Sequence, residues 1–501
     1  MRPAEDRGAF FFAPGDRGRS LILYRESRSL HILAGFPMTT SPTDTIAALA
    51  TPPGEGAIAV IRISGPDALP IGDRVFRGRR PLSGARGYTL HHGTIVSSDG
   101  REVDEVIAAV FRAPRSYTGE DAVEVSCHGG VFVANEVLGA ALAAGARRAD
   151  PGEFTRRAYM NGKMDLSRAE AVAALIASKS ERARRASLGQ LHGRLAGAVG
   201  EMRAELKRLC ALLEIDLDFA EEGISVIARD EIERSVRALK ERLDHLADTF
   251  RTGKIYRDGV SVAIVGPPNA GKSSLFNALL KESRAIVTSI PGTTRDYLEE
   301  SLTLEGILFR ITDTAGIRES EDAIEAEGIA RSFRSLESSD IVLLVTEADA
   351  NERETDEIIR SIQITGRQEL VLVRNKIDRT PGEKERVARV EPGSGNRTEI
   401  WLSALTGAGV HSLAGELVHL VARSEISREE SVCVLSERHA ESLMKGARSL
   451  ETALRSLGSG LTNEFVAFDI RESVSALGEI TGEITSEEIL NSIFSEFCIG
   501  K

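Results

Sequence analysis

The sequence lacks any apolar run near the roughly 20 residues that a membrane-spanning helix needs. Cysteine is scarce: Cys127, Cys210, Cys433 and Cys498 lie far apart, in no CxxC or His-rich spacing. Neither a disulfide framework nor a zinc site is therefore indicated, and a reducing, cytoplasmic setting without membrane attachment is expected. Aromatic residues make up only 5% of the chain, with a single tryptophan, which leaves aliphatic packing to build most of the cores. Positive charge is in deficit, with 63 Lys and Arg against 75 Asp and Glu and a formal charge of -12. Nucleic acid is held by neutralising its phosphates, so a surface basic all over is excluded and only a local basic site remains. A secretory signal is missing as well, because the apolar stretch Phe10 to Phe12 is short and acids interrupt its surroundings. Met38 is taken as a plausible physiological start, and residues 1–43 as a disordered or mis-called extension.

What is present is a soluble, globular composition, 42% hydrophobic and 28% charged, over 501 residues, too long for one core and enough for several domains. Over residues 44–162 short β-type runs such as Ala57 to Ile63 and Ala122 to Ser126 alternate with turn clusters, which predicts an α+β domain. Residues 163–257 turn helical: Leu188, Leu191, Leu195, Val199, Met202, Leu206, Leu209 and Leu213 recur at threes and fours, predicting one long helix. A second series, Ile232 to Phe250, predicts its antiparallel partner in a hairpin. Residues 258–424 carry five short apolar strands alternating with helices, the pattern of a mostly parallel, doubly wound sheet. Residues 425–501 return to helix, with Thr485 and Glu488 as a capping box. The fold class expected is multidomain α/β plus α, the sheet domain being inserted in a helical one.

The strongest chemistry lies in that insert. Gly266-Pro-Pro-Asn269-Ala270-Gly271-Lys272-Ser273 fits GxxxxGK[ST] between an apolar strand and a helix, followed by Ser274. Such a loop curls backbone N–H groups around phosphates, Lys272 neutralises the β and γ groups, and Ser273 ligates Mg2+. Asn375-Lys376-Ile377-Asp378 follows a later strand; its Asp378 carboxylate accepts from N1 and the exocyclic amine of guanine, which adenine does not offer. Ser403-Ala404-Leu405 stands where backbone contacts support the base. Asp313-Thr314-Ala315-Gly316 ends another strand, as a second-shell magnesium carboxylate and a γ-phosphate sensor require, and Thr294 in Gly292-Thr293-Thr294 closes on the metal. These motifs read as a GTP-hydrolysing, Ras-like P-loop domain. The glutamine that often follows the DxxG glycine is replaced by Ile317, so the attacking water needs another orienting group. Asn269 suits a monovalent cation, and Glu319, Glu321, Asp322 and Glu325 are all open as the acid.

At these residues and from Asp44 to Lys501 the sequence resembles the MnmE (TrmE) family of tRNA-modifying GTPases. The resemblance rests on Ala50-Thr-Pro-Pro-Gly54, Arg62-Ile-Ser-Gly65, Tyr117-Thr-Gly-Glu-Asp121, His128-Gly-Gly130, Pro151-Gly-Glu-Phe154, the phosphate loop through Ser274, and the tail Phe497-Cys-Ile-Gly-Lys501. It implies a homodimer formed through an N-terminal folate-binding domain, a helical domain, and inserted G domains that pair with the help of K+. The positions matching the cation site are Asn269, Thr288, Ile290 and Thr293, within the loop Thr288-Ser289-Ile290-Pro291-Gly292; the matching water-orienting acid is Glu325, beside Lys272 and Thr294. The resemblance also implies that 5-formyltetrahydrofolate is held by Arg62, Glu124, Lys163 and Lys501, with Cys498 a possible functional thiol. Such proteins act with an FAD-carrying partner, MnmG (GidA), on the wobble uridine of tRNA, and no flavin fingerprint is written in this chain. Pro291 departs from the pattern but suits a turn before glycine. The basic group Lys179, Arg182, Arg184 and Arg185 is either a tRNA contact or a solvated helix face. The competing reading is a ribosome-assembly or signalling switch, which needs no Glu124, Lys163 and Lys501 constellation.

Overall fold

A computed structural model describes residues 10–14, 20–26, 29–33, 44–220, 228–282, 299–313, 339–362, 368–390, 397–422 and 432–501. The chain divides into two units, Met1–Lys163 with Leu490–Lys501, and Met164–Ile489.

In the first unit, β1 (Phe10–Pro14), β2 (Ser20–Glu26) and β3 (Ser29–Leu33) form an antiparallel meander within the segment expected to have no fold of its own. The main sheet is built from β4 (Ile46–Leu49), β5 (Ile58–Ser64), β6 (Phe76–Gly78), β7 (Thr89–Val96), β8 (Glu102–Phe111), β9 (Ala122–His128) and β10 (Arg147–Arg148). Its order is β10-β4-β5-β9-β8-β7-β6, antiparallel except where β10 meets β4. The period of two is clean on β8, where Val106, Ala108 and Val110 are buried while Glu105 and Ile107 are exposed. The buried face packs with apolar residues of α1 (Ala68–Val75) and α2 (Val131–Ala143) into one core. The other face is set by the register, which lines up Arg62, Glu124, Ala109 and Leu90 in one row across β5, β9, β8 and β7. A third helix, α3 (Glu153–Met160), follows. The chain's last residues join this unit rather than the helical one, because Phe494 and Phe497 close on Gly152 just before α3.

In the second unit the expected single long helix is broken at His192-Gly193, where Gly193 takes φ 82°. The pieces are α5 (Glu181–Leu191), preceded by α4 (Leu166–Ala177), and α6 (Arg194–Ala220). The helix α7 (Arg229–Asp258) does follow, but α6 and α7 do not mainly pack on each other. They lean on a later antiparallel pair: α6 lies against the helix Asn463–Thr481 and α7 against Glu437–Gly458. The leucine stripes of all four meet in one core. The last helix, Glu487–Ser495, is capped by Ser486, whose hydroxyl accepts from Ile489 N–H, and not by Thr485.

The nucleotide-type domain contains β11 (Val260–Val265), α8 (Lys272–Glu282), β12 (Glu299–Leu304), β13 (Ile307–Asp313), β14 (Ile341–Glu347), α9 (Glu352–Ile362), β15 (Glu369–Asn375), β16 (Arg386–Val390), β17 (Arg397–Trp401) and α10 (Val410–Val421). Sheet order is β12-β13-β11-β14-β15-β17-β16. The five expected strands form its parallel centre, and β12 and β16 add antiparallel edges that the apolar pattern did not show.

One buried ionic group ties the helical bundle together. Arg438 donates to both oxygens of Glu170 at 2.8 and 3.0 Å, and its remaining nitrogen to Glu479 O. His439, fully buried, stands 2.5 Å from the same carboxylate. Burial alone raises the Glu170 carboxyl, but the His439 and Arg438 charges outweigh it and hold the pKa at about 2, below its ordinary 4.5. A group with a depressed folded pKa stabilises above its unfolded value and loses that contribution as pH falls through the folded one. Chemical denaturation should therefore show stability falling between about pH 4.5 and pH 2 in the native chain. Glu170→Gln should cost about 3–5 kcal/mol near neutral pH, because it leaves the largely buried Arg438 guanidinium uncompensated. A neutral-pH loss well under 1 kcal/mol would contradict this role.

Candidate functional site

The phosphate loop leaves β11 at Gly266 and re-enters helix at Lys272. Gly266 has φ 148°, and a Cβ there would lie 2.1 Å from Val345 O, so only glycine brings the loop this close to β14. Asn269 is exposed at the loop apex with φ 62°, a left-handed conformation that asparagine tolerates. Ala270 is buried, while Ser273 and Ser274 are exposed at the first turn of α8, where unpaired N–H groups favour anions. The Lys272 ammonium reaches across the loop to Gly266 O and Pro267 O, both at 2.9 Å.

The base loop is bolted to this one through Asn375. Its side chain, 2% exposed, donates to Ala270 O at 2.8 Å and accepts from Lys376 N–H at 2.8 Å and Ala404 N–H at 3.0 Å. A Cβ on Gly271 would meet the same amide at 2.2 Å. Lys376 takes φ 67° and its ammonium pairs with Glu347 at 2.5 Å. Ile377 is buried beneath the loop, and the exposed Asp378 is oriented by the Ser403 hydroxyl, which donates to Oδ1 at 2.5 Å. Ser403-Ala404-Leu405 therefore acts first on the protein: Ser403 holds Asp378, Ala404 N–H is spent on Asn375, and Leu405 is 83% exposed. Glu347 and the bridging role of Asn375 escaped the motif reading, since both depend on pairing across strands. Asp313 ends β13 beside Ile264 of β11. Thr288, Ser289, Ile290, Pro291, Gly292, Thr293, Thr294, Thr314, Ala315, Gly316 and Glu325 lie outside the described residues.

A second group of sequence-expected residues converges in the first unit. Arg62 and Glu124 face each other across β5 and β9, with Nε donating to Oε1 at 2.8 Å. The guanidinium lies 5.0 Å from the Tyr117 ring and 5.5 Å from that of Phe154, a cation–π cradle. Its Nη1 is buried and has no hydrogen-bond partner among the described residues. The tail is held by Phe154 N–H donating to Lys501 O at 3.2 Å. Burial, and then the Arg62 charge, lowers the Lys501 pKa, while Glu124 and Cys498 act in the opposite sense. Cys498 is exposed. Lys163 stands apart in its bonding: its ammonium donates to Pro114 O at 2.9 Å. Helix α3, which supplies Phe154, is anchored by Arg157, paired with Asp44 at 2.5 Å, Glu153 at 3.0 Å and Glu120 at 3.2 Å. Tyr117 and Phe154 were visible only as parts of quoted motifs, not as site residues.

A glycine phosphate loop between a parallel strand and its helix, cross-linked to an Asn-Lys-Ile-Asp base loop, defines a P-loop guanine-nucleotide hydrolase. Residues 45–163 match the N-terminus of the GTP-binding protein TrmE, and residues 166–498 the MnmE helical domain. The tRNA modification GTPase MnmE of Chlorobaculum tepidum is 43% identical over 467 residues, covering 92% of this chain and 98% of that protein. Its counterpart in Symbiobacterium thermophilum is 43% identical over 460 residues, covering 91% and 99%. Among solved structures, the G domain of the T. maritima FeoB iron transporter is 25% identical, covers 32% of this chain and 98% of that one, and has a TM-score of 0.24. The chain belongs to the MnmE family of tRNA modification GTPases, and it is a GTP hydrolase acting in tRNA modification.

Asn375→Ala would leave Ala270 O and Ala404 N–H without their partner, at about 1–3 kcal/mol each. GTP affinity should fall at least roughly ten-fold, read from fluorescence of the chain's single tryptophan, Trp401, two residues before Ser403. Unchanged affinity would remove the bridge from the account.

Proposed function

We propose that this chain is a K+-stimulated GTPase that works with an FAD-dependent, MnmG-type flavoprotein to place an aminomethyl or carboxymethylaminomethyl group on C5 of the wobble uridine, using a one-carbon unit from tetrahydrofolate. The observation that carries the folate part is the buried, unpartnered Nη1 of Arg62 beside Lys501 and Glu124. Two cations fit the carboxylates of a folate glutamate, and a carboxylate fits the pterin donor edge. When bound, the folate supplies the one-carbon unit; Arg62, Lys501 and Glu124 bind and orient it, and Tyr117 and Phe154 wall off water. Calorimetric titration with 5-formyltetrahydrofolate should show binding that Arg62→Ala lowers by at least ten-fold, about 1.4 kcal/mol. Equal affinity in the variant would move the folate elsewhere.

A homodimer through the first unit is supported by the open sheet face, where Leu90, in the Arg62 row, is 72% exposed, Ile107, one row on, 47%, and Ile58, a further row on, 63%. Apolar area of this kind is ordinarily covered by a partner, and a second copy presents the same face. In the G domain, Mg2+ is assigned to Ser273 and Thr294, and K+ to Asn269 with Thr288, Ile290 and Thr293. Exposure of Asn269 at the loop apex supports this reading. Glu325 orients the attacking water, since Ile317 has no hydrogen-bonding group. GTP turnover should rise in K+ over Na+ and collapse in Asn269→Ala, and Glu325→Ala should spare binding while slowing turnover by about 10²–10³-fold. Equal rates in the two salts would overturn the cation assignment, and normal turnover in Glu325→Ala would return the role to a neighbouring acid.

A further inference from the structure

We infer that the exposed arginine arm of residues 74–86 is a docking surface for the phosphate backbone of RNA. The segment Arg74-Val-Phe-Arg77-Gly-Arg79-Arg80-Pro-Leu-Ser-Gly-Ala-Arg86 carries five arginines and no acid, in a chain whose formal charge is -12. Its apolar members are anchors: Val75, Phe76, Leu82 and Ala85 are all buried. The neighbouring Asp73 is already engaged, accepting from the backbone N–H groups of Leu82 at 2.5 Å and Ser83 at 3.2 Å. Arg112 ties the same loop down through Ser83 O and Ala85 O. All five arginines are exposed. Among the described residues, Arg74 and Arg77 donate only to backbone carbonyls. The guanidinium groups of Arg79, Arg80 and Arg86 have no hydrogen bond or ion pair among the described residues. The arm is thus pre-ordered by its apolar side while its cations are unspent.

The other basic group, on α5, is different in kind. There Arg184 and Arg185 are bound to Glu181 at 2.7 and 2.9 Å, and Arg182 lies 5.9 Å from the Tyr256 ring. Arg184 and Arg185 share the one Glu181 carboxylate, so part of that face's charge is already paired within the helix. Three unspent guanidiniums, by contrast, offer planar donor forks to successive phosphates. An aromatic follows two residues after Arg86: Tyr88 is 66% exposed and meets Phe111 edge-on at 5.6 Å. An exposed aromatic next to cations suits an unstacked base and a sugar–phosphate strand, which favours RNA over an acidic protein. A local cationic arm on an acidic protein also confines the nucleic acid to one place, since the rest of the surface repels it.

This inference rests on the tRNA-modifying reading, and the test separates the two. Full-length protein is titrated into fluorescently labelled, unmodified tRNA over a salt series, with anisotropy as readout. The triple variant Arg79→Glu, Arg80→Glu, Arg86→Glu should bind at least roughly ten-fold more weakly and lose about three in the slope of log affinity against log salt, about one per phosphate contact. Replacing the same residues by Gln should give an intermediate loss, and GTP hydrolysis should be unchanged in both variants. Wild-type affinity and slope in the Glu variant would overturn the surface. So would wild-type tRNA binding by that variant combined with lost attachment to phosphatidylserine vesicles, which would make the arm a lipid contact. Wobble uridines from cells lacking the protein are measured in parallel. Normal uridines together with weakened tRNA binding would remove the modifying role and keep the surface, whereas lost modification with intact binding would remove only the surface.

Discussion

A single buried amide holds the nucleotide site in one piece. Asn375 spans from β15 to the phosphate loop and to the Ala404 loop, donating once and accepting twice. Leaving any of these buried groups unpaired costs more than the bond itself contributes, so the three loops are locked in one arrangement or none. Gly271 follows from it, since any side chain there would collide with the amide. The orientation of Asp378 follows at one remove, because Ser403 can reach it only if its loop is held by Ala404. Phosphate recognition and base recognition are thereby mechanically one feature.

The first unit shows a related economy with charge. Its sheet buries one face among aliphatic helices and leaves on the other a row that starts with an arginine held between two rings and runs out to an exposed leucine. The Arg62 guanidinium pairs with Glu124 through Nε yet keeps a buried Nη1 with no hydrogen-bond partner among the described residues. An unsatisfied buried donor is unfavourable in the protein alone and is a recurrent mark of a ligand-binding position. Around it, Arg157 and its carboxylate partners fix α3, so the ring of Phe154 does not have to be ordered when a ligand arrives.

Much of this was legible in the chain, and the boundary has physical causes. The phosphate and guanine motifs were readable because their chemistry is local: consecutive residues on one turn do the work. The parallel central strands were readable as apolar runs, but β12 and β16 were not, since edge strands such as Arg386–Val390 break the apolar run with charged residues. Helical period marked the buried faces of α6 and α7 correctly, yet period says nothing of what covers a face, and each helix turned out to lean on a partner far away in sequence, Asn463–Thr481 for α6 and Glu437–Gly458 for α7. The break at Gly193 was hidden because leucines continue in step on both sides of it. Least visible were long-range polar contacts: nothing in the neighbourhood of Glu170 announces Arg438, and nothing near Asn375 announces Ala270.

We propose that the guanine site and the Arg62 cluster, far apart in sequence, serve one reaction on tRNA. The most direct test is nucleoside mass spectrometry of tRNA from cells whose only copy of the gene carries Arg62→Ala, alongside GTP turnover of the purified variant. Wild-type GTP hydrolysis with loss of the wobble-uridine modification is the expected result. Normal modification in those cells would contradict it.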